Sequence, residues 1–186
     1  MTLRNAVMAT LLEGEASGYD LAKGFNASVA NFWTATPQQL YRELDRMERA
    51  GLVTARVVRQ ERRPDKRLFS LTDAGHAALR AHLADPITRP TAIRDGLLVK
   101  VQCADIGELA PVQADITAHM TWSRDKLARY ERLRERLLGG RTEEEYLAEA
   151  ERVGPYLTLL RGIAFEEENL RWGELALRVL AARSSG

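Results

Sequence analysis

Between residues 36 and 51 the chain spells out both ends of one helix. Thr36 is a good N-cap, Pro37 suits the first helical position, and Gln39 stands at capping-box spacing from Thr36. Gly51 supplies the stop. Between them Leu40, Leu44 and Met47 recur as an inward stripe, and Gln38, Gln39, Arg42, Asp45, Arg46 and Arg49 lie outside it. Whatever surrounds this segment must be built from other, separate elements.

Two shorter helical patterns precede it. Leu3, Val7 and Leu11 give a first helix an apolar face that stops near Gly14. Ser17-Gly18 then offers a turn and N-cap ahead of Tyr19, Leu21, Ala22, Phe25, Val29 and Phe32, spaced for a second amphipathic helix. After Gly51 the periodicity becomes strand-like. Residues 52–59 are β-branched and partly alternating, residues 67–71 form a second short strand, and the charged stretch Glu61–Lys66 between them holds the turn signal Pro64-Asp65. Thr72 caps a further helix, expected to face inward through Ala74, Ala77, Ala78, Leu79 and Leu83. Three helices followed by a hairpin is the order of a winged helix-turn-helix. Such a unit lays its third helix in the DNA major groove while the wing reaches phosphates or the minor groove.

Asp85-Pro86 and Arg89-Pro90 mark a linker, and beyond it the pattern is helical only. One helix is expected over about 92–103 and another over about 105–137, with Pro111 in its first turns pointing to a later start. Gly139-Gly140 ends it. A last helical stretch, about 142–182, is capped by Thr142 with acidic residues in its first turn, and Gly154-Pro155 kinks or splits it. From Tyr156 onward the apolar residues occupy more than one face. Since a lone surface helix needs one apolar stripe, the second face suits a partner. The fold class expected is therefore mainly α with a small β-hairpin: a winged helix-turn-helix head (1–84), a linker (85–91) and a helical dimerisation and effector domain (92–186).

Charge is informative only in its distribution. Residues 1–84 carry 12 Lys/Arg against 9 Asp/Glu, net +3, and residues 85–186 carry 15 against 17, net −2. Within 56–67 six basic residues face two acidic ones, which fits either a nucleic-acid reader or a solvated loop. Cys103 is the only cysteine, so no internal disulfide forms, and it reads as a small buried hydrophobe rather than a redox sensor. The opening apolar run is too short and too closely followed by acid for a signal peptide, and no stretch approaches a membrane span. A cytoplasmic protein with no membrane partner is expected.

Ser17-Gly18-Tyr19-Asp20-Leu21, Phe32-Trp33, Gln39-Leu40-Tyr41-Arg42-Glu43-Leu44, Gly51-Leu52-Val53 and Leu71-Thr72-Asp73-Ala74-Gly75 resemble the PadR family of bacterial transcriptional regulators, in order through residues 3–84. Leu97-Leu98-Val99-Lys100 and Leu160-Arg161-Gly162-Ile163 resemble the C-terminal helical domain of its longer, virulence-activator-like subgroup. The resemblance implies a homodimer paired through the tail helices on a roughly palindromic DNA operator, often a repressor released by a small molecule. No cofactor and no metal are expected.

On that basis Gln38, Gln39 and Arg42 sit where base edges come within reach, Gln pairing with adenine and Arg with guanine. Gln38 and Gln39 also fit a simple capping role. Tyr41 anchors its ring and directs its hydroxyl to a phosphate, or packs in the core. Arg46 joins the recognition helix set, and Arg59, Arg62, Arg63, Lys66 and Arg67 supply wing contacts to phosphate. Arg67 has the alternative of pairing with a local carboxylate. Leu160, Ile163, Leu170, Trp172 and Leu177 are the dimerisation candidates. Relatives that sense phenolic compounds bind them near the head–tail junction, which makes Tyr19, Trp33, His119 and Trp122 candidates for a small aromatic effector; plain core packing is the competing reading.

Two rival classes remain. An enzyme is disfavoured: His76 and His82 are six apart and do not share a helix face as a zinc pair would, and no phosphate loop, nucleophile elbow or dinucleotide fingerprint occurs. A winged-helix protein-interaction module that no longer binds DNA shares the fold. A MarR-type regulator shares the head too, but would carry dimerisation helices on both sides of it, whereas this head starts at residue 3.

Overall fold

The structure is a computed structural model that describes residues 3–24, 33, 35–59, 65–88 and 91–184. The chain divides into two compact units, residues 1–90 and 91–186. The expected helical residues Phe25, Val29 and Phe32, and the wing residues Arg62 and Arg63, lie outside the described residues.

In the first unit α1 (Leu3–Leu11), α2 (Gly18–Gly24) and α3 (Pro37–Arg49) precede the strands β2 (Val53–Val58) and β3 (Lys66–Leu71), and α4 (Asp73–Ala84) follows. The hairpin is joined by a third strand that the residue pattern did not announce. β1 (Ala16–Ser17) pairs antiparallel with β3, giving the order β1-β3-β2 with Ala16 opposite Phe69 and Val53 opposite Leu71. Two residues are too few to show any alternation, so β1 has no signature of its own.

The ends of α3 form as its residues dictate. Thr36 Oγ1 accepts from the Gln39 amide at 3.2 Å and Gln39 Oε1 accepts from the Thr36 amide at 2.8 Å, which closes the capping box. At the other end Gly51 takes φ +69°, the left-handed region, and its amide donates to Glu48 O while Leu52 N donates to Met47 O. Leu40, Leu44 and Met47 are buried with Val7, Met8 and Leu11 of α1, Leu21 of α2, Val53 and Phe69 of the sheet and Leu79 of α4. One core thus fixes α3 and the hairpin to the same body.

α4 docks on the α3–β2 turn through its first residues. Thr72 Oγ1 donates to Gly51 O at 2.6 Å, Thr72 N to Leu52 O, and Gly75 N donates back to Thr72 Oγ1. A Cβ on Gly75 would stand 2.2 Å from the Leu52 carbonyl oxygen, so only glycine permits this approach. The inward face of α4 is narrower than its alanines suggest. Gly75 and Leu79 are buried and Ala78 is half-buried, but Ala74, Ala77 and Leu83 are exposed, Leu83 to 84%. The helix offers more small apolar positions than the sheet can cover.

The second unit holds α5 (Gly96–Gln102), a short 3-10 turn (Ala104–Ile106), α6 (Leu109–Leu138), α7 (Glu143–Glu149) and α8 (Gly154–Ser184). Asp95 caps α5, its Oδ1 accepting from Leu97 N and Leu98 N. α6 begins at Leu109, which leaves Pro111 in the first turn, and ends where Gly139 and Gly140 take φ +58° and +85°. Thr142 and Glu145 form a capping box on α7, and the stretch expected to run from 142 splits before Gly154. Cys103 is exposed rather than buried: it caps the end of α5, a helix with no buried residue.

α6 and α8 lie antiparallel, as the pairs Arg134–Tyr156, Lys126–Glu166 and Met120–Gly173 place them. They share two apolar clusters, one around Ile116, Met120 and Leu180 and one around Tyr130, Leu159 and Ile163. Between these, Glu166 is 3% exposed and accepts from Lys126 Nζ at 3.0 Å and from Asn169 Nδ2 at 3.1 Å. Towards α7, Arg134 donates to Tyr156 Oη at 3.1 Å and to Glu143 Oε2 at 2.7 Å, and the Tyr156 hydroxyl donates to the same Glu143 oxygen. No helix among the described residues is long and apolar enough to cross a membrane.

Candidate nucleic-acid interface

The exposed side of α3 is an ordered stripe. At 100° per residue Gln38, Arg42, Asp45 and Arg49 fall within a narrow arc opposite the buried Leu40, Leu44 and Met47, with Tyr41 on one flank and Gln39 and Arg46 on the other. All seven are exposed. Gln39 is partly occupied by its cap, since its side chain holds the Thr36 amide. Gln38 makes no part of that cap, so the two glutamines separate into one structural and one available side chain.

Tyr41 is neither buried nor free to sweep. It is 46% exposed, and its ring edge lies on the backbone of Gly18 at the start of α2, where a Cβ would come within 2.2 Å of Cε1 and 2.9 Å of Cδ1. The local Ser17-Gly18-Tyr19 sequence folds for this purpose: the Ser17 hydroxyl accepts from the Asp20 amide and donates to its carboxylate, which holds the first turn of α2 tight. Around Tyr41 a hollow of about 670 Å³ opens between α2, α3 and β3, lined by Gly18, Tyr19, Tyr41, Lys66 and Arg67.

The wing cations are paired with acids that residue pattern alone did not single out. Arg67 donates to Glu48 Oε2 at 2.6 Å, stands 3.7 Å from Asp45 Oδ1, and covers the Phe69 ring at 5.1 Å. The local-carboxylate alternative for Arg67 is thus the arrangement present. Lys66 pairs with Asp20 at 2.6 Å, and hydrogen bonds from Lys66 and then Ser17 hold the Asp20 carboxyl below its ordinary range. Arg56 on β2 hydrogen-bonds Glu15, whose carboxyl is lowered by that contact. On α3 itself Glu43 is buried and receives Arg4 of α1 at 3.1 Å and Arg46 at 3.5 Å. Arg46 is therefore drawn towards a structural partner. Arg59 is exposed at the end of β2. Apart from Glu43–Arg46, an i,i+3 pair within α3, these pairs join different elements, and nothing in the sequence spacing foretells them.

The four aromatic effector candidates fall in different units. Tyr19 is exposed beside the hollow of the first unit, and Trp33 is half-buried against the first unit's core. In the second unit His119 and Trp122 meet edge-on, ring centroids 6.2 Å apart at 79°, over a hollow of about 280 Å³ that Leu97, Lys100 and Asp115 also line. Of the dimerisation candidates, Ile163 is buried in its own chain's α6–α8 cluster, and Leu170, Trp172 and Leu177 are half-buried against the other cluster. Their apolar area is largely committed within the chain. The outward face of α8 is instead Leu157, Phe165, Leu175 and Val179, with Leu160 half-buried at its margin.

A three-helix core carrying a two-stranded wing defines a winged helix-turn-helix head, here joined to an all-helical second unit. The chain belongs to the PadR-like family of transcriptional regulators. Residues 7–81 match the description "Transcriptional regulator PadR-like family", and residues 93–181 match "Virulence activator alpha C-term". The chain is 34% identical over 181 residues to the probable transcriptional regulator Rv1176c of Mycobacterium tuberculosis, covering 92% of this chain and 94% of that one. It is 26% identical to the negative transcriptional regulator PadR of Bacillus subtilis, over 96% of this chain and 97% of the relative. A crystal structure of Bacillus subtilis PadR in complex with operator DNA superposes with a TM-score of 0.76 at 25% identity, covering 96% and 98% of the two chains. These relatives are regulators, not enzymes.

Proposed function

We propose that the chain regulates transcription by binding double-stranded DNA sequence-specifically as a homodimer, most simply as a repressor on a palindromic operator. α3 enters the major groove with Gln38 and Arg42 foremost, and the wing, including Arg59, Arg62, Arg63, Lys66 and Arg67, follows the flanking phosphates. The observation that carries this reading is the outward stripe of α3, capped at both ends and buried along the opposite side, with the wing cations rising from the same core. Names of relatives support it: one is a negative regulator and its structure was solved on operator DNA.

Pairing through the tail rests on the outward apolar face of α8. Leu157 and Leu175 are eighteen residues apart, five full turns, so Leu157, Phe165, Leu175 and Val179 form one stripe away from α6. Two heads then read two half-sites. A small aromatic effector fits best against His119 and Trp122, where an aromatic edge and the Lys100 ammonium flank one hollow.

The test is titration of the purified protein against duplex DNA from its own upstream region and against random duplex at several salt concentrations. Arg42→Ala costs about 1–3 kcal/mol on the preferred duplex and relaxes one position per half-site. Arg62→Ala with Arg63→Ala weakens all duplexes alike and flattens the salt dependence. Leu175→Glu yields a monomer by light scattering. No salt-sensitive binding of the effector-free protein to any duplex ends this proposal and leaves the protein-interaction module standing.

A further inference from the structure

Asp45 lies in the middle of the stripe that the proposed function turns towards DNA, between Arg42 one turn before it and Arg49 one turn after it. A carboxylate there is costly for a duplex reader. It repels phosphate and every acceptor edge of the major groove, guanine O6 and N7 and thymine O4 included. Neither neighbouring arginine neutralises it: Arg49 donates Nε to the Asp45 backbone oxygen, and no ion pair joins the Asp45 side chain to Arg42. Its cationic neighbour is Arg67 of the wing, at 3.7 Å, beyond hydrogen-bond reach. Arg67 spends its short contact on Glu48, at 2.6 Å. The two acids under Arg67 thus have different standing. Glu48 is tied, and Asp45 is an exposed acceptor held near the wing base with hydrogen-bonding capacity unspent.

We propose that Asp45 is a specificity-determining residue, which reads an exocyclic amino group of cytosine, or secondarily of adenine, in the major groove and penalises every base edge that offers only acceptors. This rests on the DNA-binding reading above. A lone carboxylate can accept but not donate, so the donors N4–H₂ of cytosine and N6–H₂ of adenine are the groove features it can satisfy. Elsewhere it is a desolvated charge with only the long contact to Arg67, and wrong sites lose more than the right site gains. The same negative charge lowers affinity for arbitrary duplex, where contact with phosphate dominates. The Arg67–Glu48 bridge positions the wing base beside Asp45 without consuming it.

The experiment selects from a duplex pool whose randomised core spans two helical turns, using the full chain as wild type, Asp45→Ala, Asp45→Asn and Glu48→Gln. Expected for wild type is a cytosine-rich position, symmetric in the two half-sites. Asp45→Ala loses that preference by about 5- to 150-fold, the range of one good base contact, while its affinity for random duplex rises or stays level. Asp45→Asn moves the preference towards adenine, because an amide both donates and accepts. Glu48→Gln changes affinity for all duplexes together and leaves the selected sequence as in wild type. The proposal is overturned if Asp45→Ala selects the wild-type sequence, or if it weakens selected and random duplexes by the same factor, since either result makes Asp45 a mere prop for Arg67. Failure of wild type to select any sequence is a different result: it sinks the DNA-binding reading itself.

Discussion

Replacing Gly18 by alanine separates positioning from stability at the proposed interface. The added Cβ would stand 2.2 Å from Tyr41 Cε1, 2.9 Å from Cδ1 and 3.1 Å from Cζ. Carbon atoms pack best at roughly 3.5–4.0 Å, so the ring edge must retreat by about 1.3–1.8 Å. Because Tyr41 is nearly half exposed, it yields by rotating outward rather than by moving the backbone. The fold therefore loses less than about 1 kcal/mol, and the restricted unfolded chain offsets part of that. At this chain length such a loss lowers Tm by no more than about 4 °C. The hydroxyl, further from the pivot than the ring edge, moves by more than a hydrogen bond tolerates. If it meets a phosphate, each head forfeits about 1.5–3 kcal/mol, a factor of roughly 10–150. The assay is a double-mutant cycle on the selected duplex with wild type, Gly18→Ala, Tyr41→Ala and the pair. Gly18→Ala is expected to cost nothing once the ring is gone. An equal cost in both backgrounds, or a large fall in Tm, refutes the reasoning.

Gly75→Ala behaves in the opposite sense, because its Cβ meets the Leu52 carbonyl oxygen, which cannot rotate away. The clash outweighs the gain of about 1 kcal/mol in helix propensity and leaves a net loss of about 1–3 kcal/mol, read by thermal unfolding. Lys126→Met leaves Glu166 buried with Asn169 as its remaining partner, costing about 1–3 kcal/mol in denaturant titrations; adding Glu166→Gln restores part of it. Tyr156 responds to pH: burial, followed by competing contacts from Arg134 and Glu143, raises its hydroxyl above the ordinary 10.0. A raised folded pKa means that its contribution is whole below pH 10.0 and disappears as pH rises through the folded value, so Tyr156→Phe flattens the alkaline fall in stability. Glu143 has the reverse sign, lowered by hydrogen bonds from Arg134 and then Tyr156; its contribution is present above pH 4.5 and is lost on acidification, an effect that Glu143→Gln removes.

Local chemistry made the first unit legible. Thr36, Pro37, Gln39 and Gly51 delimit α3 because caps and left-handed turns are decided by neighbouring residues, and the structure closes each of those contacts. The buried set Leu40, Leu44 and Met47 follows from helical spacing alone. What spacing does not carry is the partner across space. Glu43 on Arg4, Asp20 on Lys66 and Glu48 on Arg67 join elements that only the finished fold brings together, and the last two change the standing of Lys66 and Arg67, residues picked for charge. The exposed Cys103 and Leu83 are misjudged for a related reason: a small or apolar residue signals burial only when a neighbour arrives to cover it.

α8 shows the same boundary in one helix. Its apolar residues divide by angle into two opposed sets, one holding Leu159, Ile163, Leu177 and Leu180 and the other Leu157, Leu175 and Val179. Periodicity yields both sets but ranks neither, because each would serve equally well against α6. Gly173 decides between them. A Cβ there would fall 2.6 Å from Met120 Cγ, so α6 approaches most closely on the side where α8 has no side chain, and the set beside Gly173 becomes the inner one. The other set is left outward by default, and the half-buried Trp172, which helical spacing places within that outward arc, packs against the cluster around Ile116, Met120 and Leu180.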